Sequence, residues 1–493
     1  MAPRGSGALP SRLDRLCRSD SFLASLATAA EEAGARLLLV GGVIRDLRLG
    51  RVPRDADFIL MGRGRRRVLR QLPALAGGRV VTFRKRGLID HRVIAGGREH
   101  DLVEVTAGTL RRELGRRDFT INAIAWDIQR RRLVDPRGGL RDADRRRLRM
   151  TSPRVFEDDP LRMLRAVRLR CELPRFTIER DTRRRMRRDA PRLGRVSPER
   201  IREELDRILA SPQPASGIRE ADRLGLLTIV IPEVELVRGL RQNRYHHLDA
   251  WRHTLAALQA ASDLASLARG LSPALPSRRG PIPAGGAGRL LPLPRERVLV
   301  LRWALLFHDL GKAATRTIGE DREYHFFGHE KRSATLAAGI MKRLKFTNRR
   351  TRAIRRLVEL HLRIAIPAEG DLSEKACRRL IRDAGDLTPL LVLHSLADKA
   401  ASQGSGWRAA MARLRKTGRT LLRTWREYGE AILAPPRLLD GHDVMRLCGI
   451  GPGPRVGAII EEIRMRQIAG EISTREQAEE AVPKIGPPEH PPL

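Results

Sequence analysis

Cysteine is scarce in this sequence, and its four cysteines lie far apart. Cys17, Cys171, Cys377 and Cys448 form no C-x-x-C pair. This pattern argues against both a disulfide framework and a zinc site built from thiolates. Free thiols suit a reducing compartment, so we expect a cytoplasmic protein.

Long apolar runs are also missing. No stretch reaches the roughly 18 uninterrupted apolar residues of a membrane-spanning helix. The first residues, MAPRGSGALPSRLDRL, lack the apolar core of a signal peptide, and the sequence has no internal repeat. We therefore expect a soluble protein that is not exported and has no membrane partner.

Lysine is rare, so the positive charge comes almost wholly from arginine. Lys and Arg total 96 against 58 Asp and Glu, a net charge of +38. A field of this sign attracts polyanions, and nucleic acid is the leading partner class. An arginine excess can equally reflect the base composition of a genome, so charge alone does not decide. The 493 residues, 41% of them hydrophobic, suffice for two to four domains.

The pattern of hydrophobic residues changes near residue 155, from short strand-like segments to amphipathic helices. Helical spacing over 12–34 is followed by short strand-like segments, namely RLLLV, DADFILM, GRVVTF, HRVIA and HDLVEVT. Farther along, amphipathic helices dominate to about residue 430. Two segments rich in Pro or Gly, 272–297 and 483–493, predict a flexible insertion and a disordered tail. The pattern predicts an α+β protein with a mixed-sheet head and a largely helical body.

The segment LLLVGGVIRDLRLGRVPRDADFIL combines a strand, a glycine pair and two aspartates. Gly41 and Gly42 predict a tight turn that presents free backbone amides to a phosphate at the start of a helix. Asp55 and Asp57 share one face of the next strand, because alternate residues of a strand point the same way. Two such carboxylates repel each other unless a cation such as Mg²⁺ lies between them. A D-x-D pattern alone is more often a polar strand edge.

Two later motifs make the pattern specific. RRDFTINAIAWD at 116–127 and FEDDPLRMLRAVRL at 156–169 follow GGVIRDLRLG and DAD in order. Together the four motifs resemble those of the class II CCA-adding enzyme and bacterial poly(A) polymerase family over about residues 35–250. The resemblance implies a template-independent polymerase that uses CTP and ATP to add C, A or both to the 3′ end of tRNA or another RNA.

The resemblance also implies the residues of the polymerase site. Asp55 and Asp57 would bind Mg²⁺, and Asp101 would be the third catalytic carboxylate, with Glu104 as the alternative. The implied nucleotide-binding set is Gly41, Gly42, Arg45, Asp46, Arg117, Asp118, Asn122, Asp159, Arg162 and Arg165.

Asp159 and Arg162 suggest how a protein could select bases. If the segment is a helix, these residues share a face and present one acceptor beside several donors. Cytosine and adenine both offer an exocyclic amine next to a ring-nitrogen acceptor, whereas guanine and uracil present the reverse. One Asp-Arg pair could therefore accept C and A without a template. The alternative is an ordinary ion pair within a helix.

The second half contains a different ligand set. His253, His308, Asp309 and Asp398 resemble the metal ligands of the HD phosphohydrolase superfamily over about residues 246–400. Imidazoles and carboxylates suit a divalent metal such as Ni²⁺, Mn²⁺ or Mg²⁺. His329, in FFGHE, is a candidate phosphate contact. The ligands could form an active site or serve the fold alone, and the presence of all four favours an active hydrolytic site.

We expect five parts along the chain. They are an N-terminal helix (1–34), a nucleotidyltransferase head (35–150), a neck and RNA-binding helical domain (151–245), an HD domain (246–400) and a helical C-terminal region (401–493). Ser197 and Pro198 should begin the neck helix.

The leading function is CCA addition to tRNA. The alternatives are a poly(A) polymerase and an HD phosphohydrolase whose head only binds RNA. The sequence leaves open the product, whether CCA, CC, A or poly(A), and the oligomeric state.

Overall fold

A computed structural model describes residues 8–53, 56–85, 88–95, 97–105, 110–269, 271, 292–364 and 372–485. The chain forms two compact units: the first runs to Glu204 and includes Glu220–Val230, and the second comprises Leu205–Arg219 and the chain from Ile231 onward. Asp55, most of the expected insertion and the chain after residue 485 lie outside the described residues. Within the described ranges, no helix is both long and apolar enough to cross a membrane.

A seven-stranded mixed sheet forms the core of the first unit. Its strands are β1 (Arg36–Val40), β2 (Asp57–Met61), β3 (Val80–Lys85), β4 (Leu88–Ala95), β5 (Arg98–Val105), β6 (Ala125–Asp127) and β7 (Arg132–Val134). Their order is β3-β4-β5-β2-β1-β6-β7. Strands β2 and β5 are parallel, and the other neighbouring pairs are antiparallel. The five strands that the sequence predicted in this region are confirmed.

The helices of the first unit cover the sheet and continue past it. They are α1 (Ala8–Ser19), α2 (Ser21–Glu32), α3 (Gly42–Arg48), α4 (Arg65–Ala76), α5 (Leu110–Gly115), α6 (Gly139–Asp144), α7 (Val155–Asp158), α8 (Arg162–Glu172), α9 (Arg180–Asp189), α10 (Pro198–Ala210), α11 (Pro214–Arg223) and α12 (Leu226–Val230). A short pair, β8 (Arg147–Leu148) and β9 (Thr177–Ile178), is parallel. Helices α10 and α11 each contribute residues to both units, and α10 begins at Pro198 as predicted.

The sheet separates two apolar layers. Leu39 and Phe58 pack with buried residues of α1, α2 and α4, whereas Val40 and Ile59 pack with Leu114 and its neighbours on the other face. This division follows from the alternation of side chains along a strand. Asp57 therefore lies on the Val40 face of the sheet, at the edge of the second layer.

Two helix predictions were wrong in the same way. The single N-terminal helix is in fact α1 and α2, because Asp20 has extended backbone and accepts a hydrogen bond from Leu23 N at 3.0 Å as an N-cap. The helix expected over 158–169 is interrupted at its start, because Asp159 is extended at φ −149° and ψ 100°. Pro160 explains this break, since the residue before a proline disfavours helical backbone.

The second unit is almost entirely helical. Its further helices are α13 (Ala250–Ala260), α14 (Leu264–Ala268), α15 (Arg295–Phe307), α16 (Lys312–Thr315), α17 (His329–Arg343), α18 (Asn348–Leu360), α19 (Glu374–Ala384), α20 (Thr388–Ser402), α21 (Trp407–Leu433), α22 (Gly441–Cys448), α23 (Pro454–Ala469) and α24 (Arg475–Ala481). A small antiparallel hairpin joins β10 (Thr317–Ile318) and β11 (Tyr324–His325). Helices α13, α15 and α20 pack against one another, and α22 to α24 share a separate apolar cluster.

Candidate active sites in the two units

Gly41 shapes the turn between β1 and α3. Its φ of +83° lies in the region that favours glycine. A Cβ at this position would lie 2.8 Å from Arg117 Nη1 and 3.2 Å from Asp57 Oδ2. At Gly42 a Cβ would lie 3.2 Å from Arg45 Nη2. The glycine pair therefore lets two guanidinium groups and a carboxylate approach the backbone closely.

Strand register separates the two candidates for the third carboxylate. Phe58 of β2 lies opposite Leu102 of β5, so Asp57 is in line with Asp101. Residues in register on neighbouring strands point to the same face. Glu104 is three positions beyond Asp101 and therefore points to the opposite face. The register thus aligns Asp101, and not Glu104, with Asp57.

Each of these carboxylates has an arginine beside it. Arg92 Nε donates to Asp101 Oδ1 at 3.1 Å. This hydrogen bond and the charge of Asp101 raise the pKa of Arg92, and the charge of Asp57 adds to the effect. On the other face of the sheet, Arg65 Nε donates to Glu104 Oε1 at 2.5 Å. Glu104 is therefore held in an ion pair away from the face of Asp57.

A hydrogen-bonded chain runs through the RRDFTINA motif. Arg45 Nη1 donates to Asn122 Oδ1 at 2.8 Å, and Asn122 Nδ2 donates to Asp118 Oδ1 at 2.9 Å. Arg165 Nη2 lies 3.0 Å from Asp118 Oδ2. Burial alone would raise the pKa of Asp118, but Arg165 and the hydrogen bonds from Asn122 and from Phe119 N lower it to about 2. Asp118 is therefore a buried anion that fixes its neighbours in position.

Asp159 bonds to a residue other than the one expected. Its Oδ2 accepts a hydrogen bond from Arg200 Nη2 of α10 at 2.8 Å, while Arg162 Nη1 donates to Val155 O at 3.3 Å. Burial lowers the pKa of Arg162, and the charges of Asp118 and Asp159 oppose this. The charges of Asp118 and Asp159 therefore act on Arg162. Asp159 nevertheless forms its ion pair with Arg200.

The predicted nucleotide-binding residues come together in the first unit. Contacts join the glycine pair, Arg45, Asn122, Asp118 and Arg165, and Arg45 also donates to Asp46 at 2.9 Å. Arg117 Nη1 is 3.8 Å from Asp57 Oδ2. Arg200 was missed. Its only sequence signal was a place in the first turn of the predicted neck helix, 41 residues after Asp159.

The second unit contains two groups of candidate metal ligands, all buried except Asp398, which is partly buried. His253, His308 and Asp398 form one group, and Asp309, His329 and His361 form the other. Within each group the ligand atoms lie within 4.8 Å of one another. All four predicted ligands and His329 are therefore brought together. His361 was missed because it is a lone histidine just after the end of α18, among alternating leucines in ELHLRI, where a core position is the default interpretation.

Three of these histidines are oriented by the backbone three residues before them. The Nδ1 atoms of His308, His329 and His361 donate to Leu305 O, Phe326 O and Val358 O at 2.8, 2.7 and 2.7 Å. A carbonyl can only accept, so Nδ1 carries a proton, and in the neutral form of each ring Nε2 keeps its lone pair. Backbone carbonyls orient metal-binding imidazoles in this manner in many proteins.

Asp309 lies between the two groups. Its Oδ2 is 3.3 Å from His308 Nε2, and its Oδ1 is 3.4 Å from His329 Nε2. Lys312 Nζ donates to Oδ2 at 2.8 Å and to Gln242 Oε1 at 2.5 Å. Burial would raise the pKa of Asp309, but His308, Lys312 and His329 lower it well below its usual value. Asp309 therefore remains an ionised carboxylate in the helical core.

The donor set fits divalent cations. Within the described chain, Nε2 of His308 and Nε2 of His329 make no hydrogen bond of ordinary length. Burial lowers the pKa of His361 well below its usual value, and this keeps its imidazole neutral. Neutral imidazoles and ionised carboxylates are the forms in which these groups bind metals. These six residues, five of them buried and Asp398 partly buried, would be the ligands of divalent cations in the two adjoining groups.

Three known families match this chain in succession. The Poly A polymerase head domain matches residues 37–149, the probable RNA and SrmB-binding site of polymerase A matches 175–237, and the HD domain matches 251–402. These matches follow the order of the motifs in the sequence.

Curated relatives are similar over most of their length. An A-adding tRNA nucleotidyltransferase of Deinococcus radiodurans is 35% identical over 89% of this chain and 93% of its own. A CC-adding tRNA nucleotidyltransferase of Thermus thermophilus is 32% identical over 89% and 91%. A multifunctional CCA protein of Azoarcus is 32% identical over 63% of this chain and 69% of its own.

Solved structures share the fold at lower identity. The Thermotoga maritima CCA-adding enzyme complexed with tRNA has a TM-score of 0.58 at 19% identity, covering 98% of both chains. The Bacillus stearothermophilus CCA-adding enzyme in complex with CTP has a TM-score of 0.56 at 22% identity, covering 93% of this chain and 95% of its own. These likenesses confirm the predicted α+β architecture. With the curated relatives, they establish that this chain is a nucleotidyltransferase of the class II CCA-adding enzyme and poly(A) polymerase family.

Proposed function

We propose that this protein adds C, A or both to the 3′ end of tRNA, using CTP and ATP and no nucleic-acid template. The observation that carries the proposal is the alignment of Asp57 with Asp101 beside the Gly41 turn and Arg117. The A-adding and CC-adding relatives support tRNA as the acceptor. This function implies action in the cytoplasm.

The carboxylates are the proposed metal ligands. Asp57 and Asp101, together with Asp55 from outside the described residues, would hold Mg²⁺. When bound, Mg²⁺ supplies activation of the RNA 3′-hydroxyl and charge stabilisation for the departing pyrophosphate. Arg117 lies 3.8 Å from Asp57 and against Gly41, and is suited to bind the triphosphate there. Arg45 is held by Asn122 and Asp46 at the neighbouring turn of the backbone.

Base selection is proposed to involve three residues instead of two. Asp159 would accept a hydrogen bond from the exocyclic amine of C or A, and Arg162 would donate to the adjacent ring nitrogen. Arg200, 2.8 Å from Asp159, would hold this carboxylate in place. Asp118 supports the same region because it anchors Arg165, one helical turn beyond Arg162.

Nucleotide incorporation tests the polymerase proposal. Purified protein is incubated with tRNA lacking its CCA end and with tRNA ending in CC, each with labelled CTP, ATP or both. Addition of one to three residues that stops at the CCA end supports the proposal, and the pattern identifies the product. Long A tracts on tRNA and on unrelated RNA would support a poly(A) polymerase instead. Absence of incorporation with any substrate would contradict both.

The helical unit supports a second proposed activity, metal-dependent hydrolysis of phosphoesters. Its six ligands in two groups, with Lys312 beside Asp309, would hold divalent cations such as Ni²⁺, Mn²⁺ or Mg²⁺. The ions would supply activation of water. Lys312, already 2.8 Å from Asp309, would place a positive charge next to the phosphoryl group.

Metal content and turnover test this second activity separately. Elemental analysis after loading and desalting should find about two ions per chain, as expected for two adjoining ligand groups, and His361→Ala should lower the number. Hydrolysis of 2′,3′-cyclic phosphates should require the loaded metal. A protein that binds no ion and hydrolyses no phosphoester would contradict the proposal, and would indicate that the ligands serve the fold.

A further inference from the structure

Phe83 of β3 is an exposed phenylalanine on the same face of the seven-stranded sheet as the carboxylates of the head. It lies opposite Asp90 of β4, and Asp90 lies opposite Val103 of β5. Val103 is two residues after Asp101 on the same strand and shares its face. Phe83 therefore points to the face that carries Asp101 and Asp57, and its exposed fraction is 48%.

Arg92 of β4 lies between the phenyl ring and the carboxylates. Its Cζ is 5.9 Å from the centroid of the Phe83 ring, which is a cation–π distance. Its Nε donates to Asp101 Oδ1 at 3.1 Å, and its Nη1 lies 3.4 Å from Glu99 Oε1. From the spacing of two strands and two residues, the Cα atoms of Phe83 and Asp101 are about 12 Å apart. The guanidinium group thus joins the exposed ring to the carboxylate end of β5.

The order of the strands gives the carboxylates two different sides. In the order β3-β4-β5-β2-β1, the carboxylates of Asp101 and Asp57 lie on β5 and β2. The Gly41 turn, where the triphosphate is proposed to bind, follows β1 and lies on one side of them. Phe83 and Arg92, on β3 and β4, lie on the other side.

The geometry of the reaction assigns this second side to the RNA. The attacking and leaving oxygens lie roughly in line at the transferred phosphorus, so the 3′-hydroxyl approaches from the side opposite the departing pyrophosphate. With the triphosphate at the β1 side of the carboxylates, the RNA end that carries the hydroxyl comes from the β4 side. There it meets Arg92 first and the ring of Phe83 next.

Stacking is the interaction that this surface offers. Its charge is mixed, because Asp90 and Glu99 lie on the same face as Arg92. Net charge therefore does not attract an RNA backbone to these outer strands. A phenyl ring can stack on any base, since every base has a π face. Half-exposed beside a guanidinium group, the ring of Phe83 is suited to this contact.

We propose that Phe83 is a base-stacking residue for the 3′ end of the acceptor RNA, so that the polymerase site extends across β4 to β3. The ligand is the base of one of the last two nucleotides, whichever base this is. The proposal rests on the nucleotide addition proposed above. Phe83 holds the RNA end and takes no part in the bond changes at phosphorus.

Abasic acceptors test the proposal in the full chain. RNA without the base of its last or next-to-last nucleotide keeps the 3′-hydroxyl and is compared with the intact RNA. With intact RNA, Phe83→Ala should raise KM for the RNA about tenfold, as expected for the loss of one base–aromatic stack. The values of kcat and of KM for CTP or ATP should change little. With the abasic RNA that lacks the stacked base, wild type and Phe83→Ala should have the same KM.

Two further variants separate stacking from a general disturbance of the sheet. Phe83→Trp should restore the wild-type KM for intact RNA, because indole also offers a planar face. Ile94→Ala is the matched control, since Ile94 is 44% exposed on the same face of β4 and has no ring. It should leave KM for the RNA unchanged.

Equilibrium binding without nucleoside triphosphate measures the contact apart from turnover. Phe83→Ala should weaken RNA binding about tenfold, by the same factor at low and high salt, because a stack releases no counterions. An unchanged KM for RNA in Phe83→Ala, or an equal loss with intact RNA and both abasic RNAs, would overturn the stacking role. A dimer that dissociates in Phe83→Ala would overturn it too, because the ring would then lie between copies of the chain. If the wild type extends no acceptor, nucleotide addition itself fails, and the binding ratio still tests the stack.

Discussion

The two units hold their carboxylates in opposite environments. In the first unit the Asp57 side chain is 37% exposed, on a sheet face lined by guanidinium groups. In the second unit Asp309 is 2% exposed, among histidines on packed helices. An open, arginine-rich site suits a nucleoside triphosphate and a large RNA end that must enter and leave. A buried histidine site suits ions held in fixed positions. The comparison indicates that the two proposed metal sites can be separated by substitution.

Loss of Asp57 should give the largest effect. Asp57→Ala should lower nucleotide incorporation by about 1,000-fold or more, because a metal-held charge is worth several kcal/mol in the transition state. Phosphoester hydrolysis should not change, since the two sites share no ligand. Asp101→Asn should resemble Asp57→Ala, whereas Glu104→Gln should keep most activity because Glu104 lies on the opposite face. Incorporation assays that rank Glu104 above Asp101 would contradict the register argument.

A substitution in the second unit should have the opposite effect on the two activities. Asp309→Ala should abolish hydrolysis and leave nucleotide addition near the wild-type rate. It also leaves Lys312 as a buried charge without its carboxylate, so the free energy of unfolding should fall by about 3–5 kcal/mol. Thermal unfolding followed alongside both assays checks this. An Asp309→Ala protein that still hydrolyses phosphoesters would place the chemistry elsewhere.

Gly41→Ala should lower the activity of the nucleotidyltransferase head through one contact, with Arg117. The methyl group would lie 2.8 Å from Arg117 Nη1 and displace this guanidinium, and positive φ adds a backbone cost of about 1–2 kcal/mol. We expect kcat/KM for CTP or ATP to fall about 10- to 100-fold, equivalent to about 1.4–3 kcal/mol. Gly50→Ala is the matched control, since Gly50 has φ +72° and a methyl group there would meet no atom of the described chain within 4 Å. Equal losses in both variants would attribute the effect to the backbone alone.

Arg162→Ala should change base choice more than rate. The preference for CTP and ATP over UTP and GTP should fall about tenfold, in the range of one good base contact at about 1–3 kcal/mol. Arg162→Lys keeps the charge but loses the planar pair of donors, so it should recover only part of the preference. Arg170→Ala, in the same helix, serves as the control. Unchanged relative use of the four nucleotides in Arg162→Ala would exclude this residue from base selection.

Asp118 should give the smallest effect, a loss of stability above about pH 4 that narrows in acid. Its pKa of about 2 in the folded protein lies below the ordinary value of 3.8. The stabilisation is therefore complete above about pH 4 and is lost as the pH falls towards 2, by about 2 kcal/mol in total. Denaturant unfolding between pH 5 and 2 should be less steeply pH-dependent in Asp118→Asn than in the wild type. Parallel curves for the two proteins would contradict the assignment.

Patterns within one segment were readable from the sequence, and pairings between segments were not. The short apolar runs in RLLLV and DADFILM predicted β1 and β2, and the resemblance to the HD superfamily implied that His253, His308, Asp309 and Asp398 converge. The choice between Asp101 and Glu104 required the register of β5 on β2. A single sequence does not show how two strands are aligned, although it does show that these two residues occupy opposite faces of their strand.

The remaining differences have local or distant causes. The break at Asp159 was readable, because Pro160 disfavours helix at the residue before it. The partnership of Asp159 with Arg200 was not, since it depends on how α10 returns to the end of α7. The place of His361 in the ligand group could not be predicted for the same reason, because its neighbours in sequence do not indicate that it lies near Asp309 and His329.

The backbone bonds of His308, His329 and His361 have a consequence for how the helical unit gains and loses metal. A hydrogen bond from Nδ1 to the preceding backbone fixes the orientation of each ring. The ligands are therefore in position before a metal ion binds. A chelator should therefore empty it without unfolding the protein, and added metal should refill it without a slow folding phase. A related protein could therefore lose metal binding through a single ligand substitution. Its helical unit would keep its fold and could still support the polymerase.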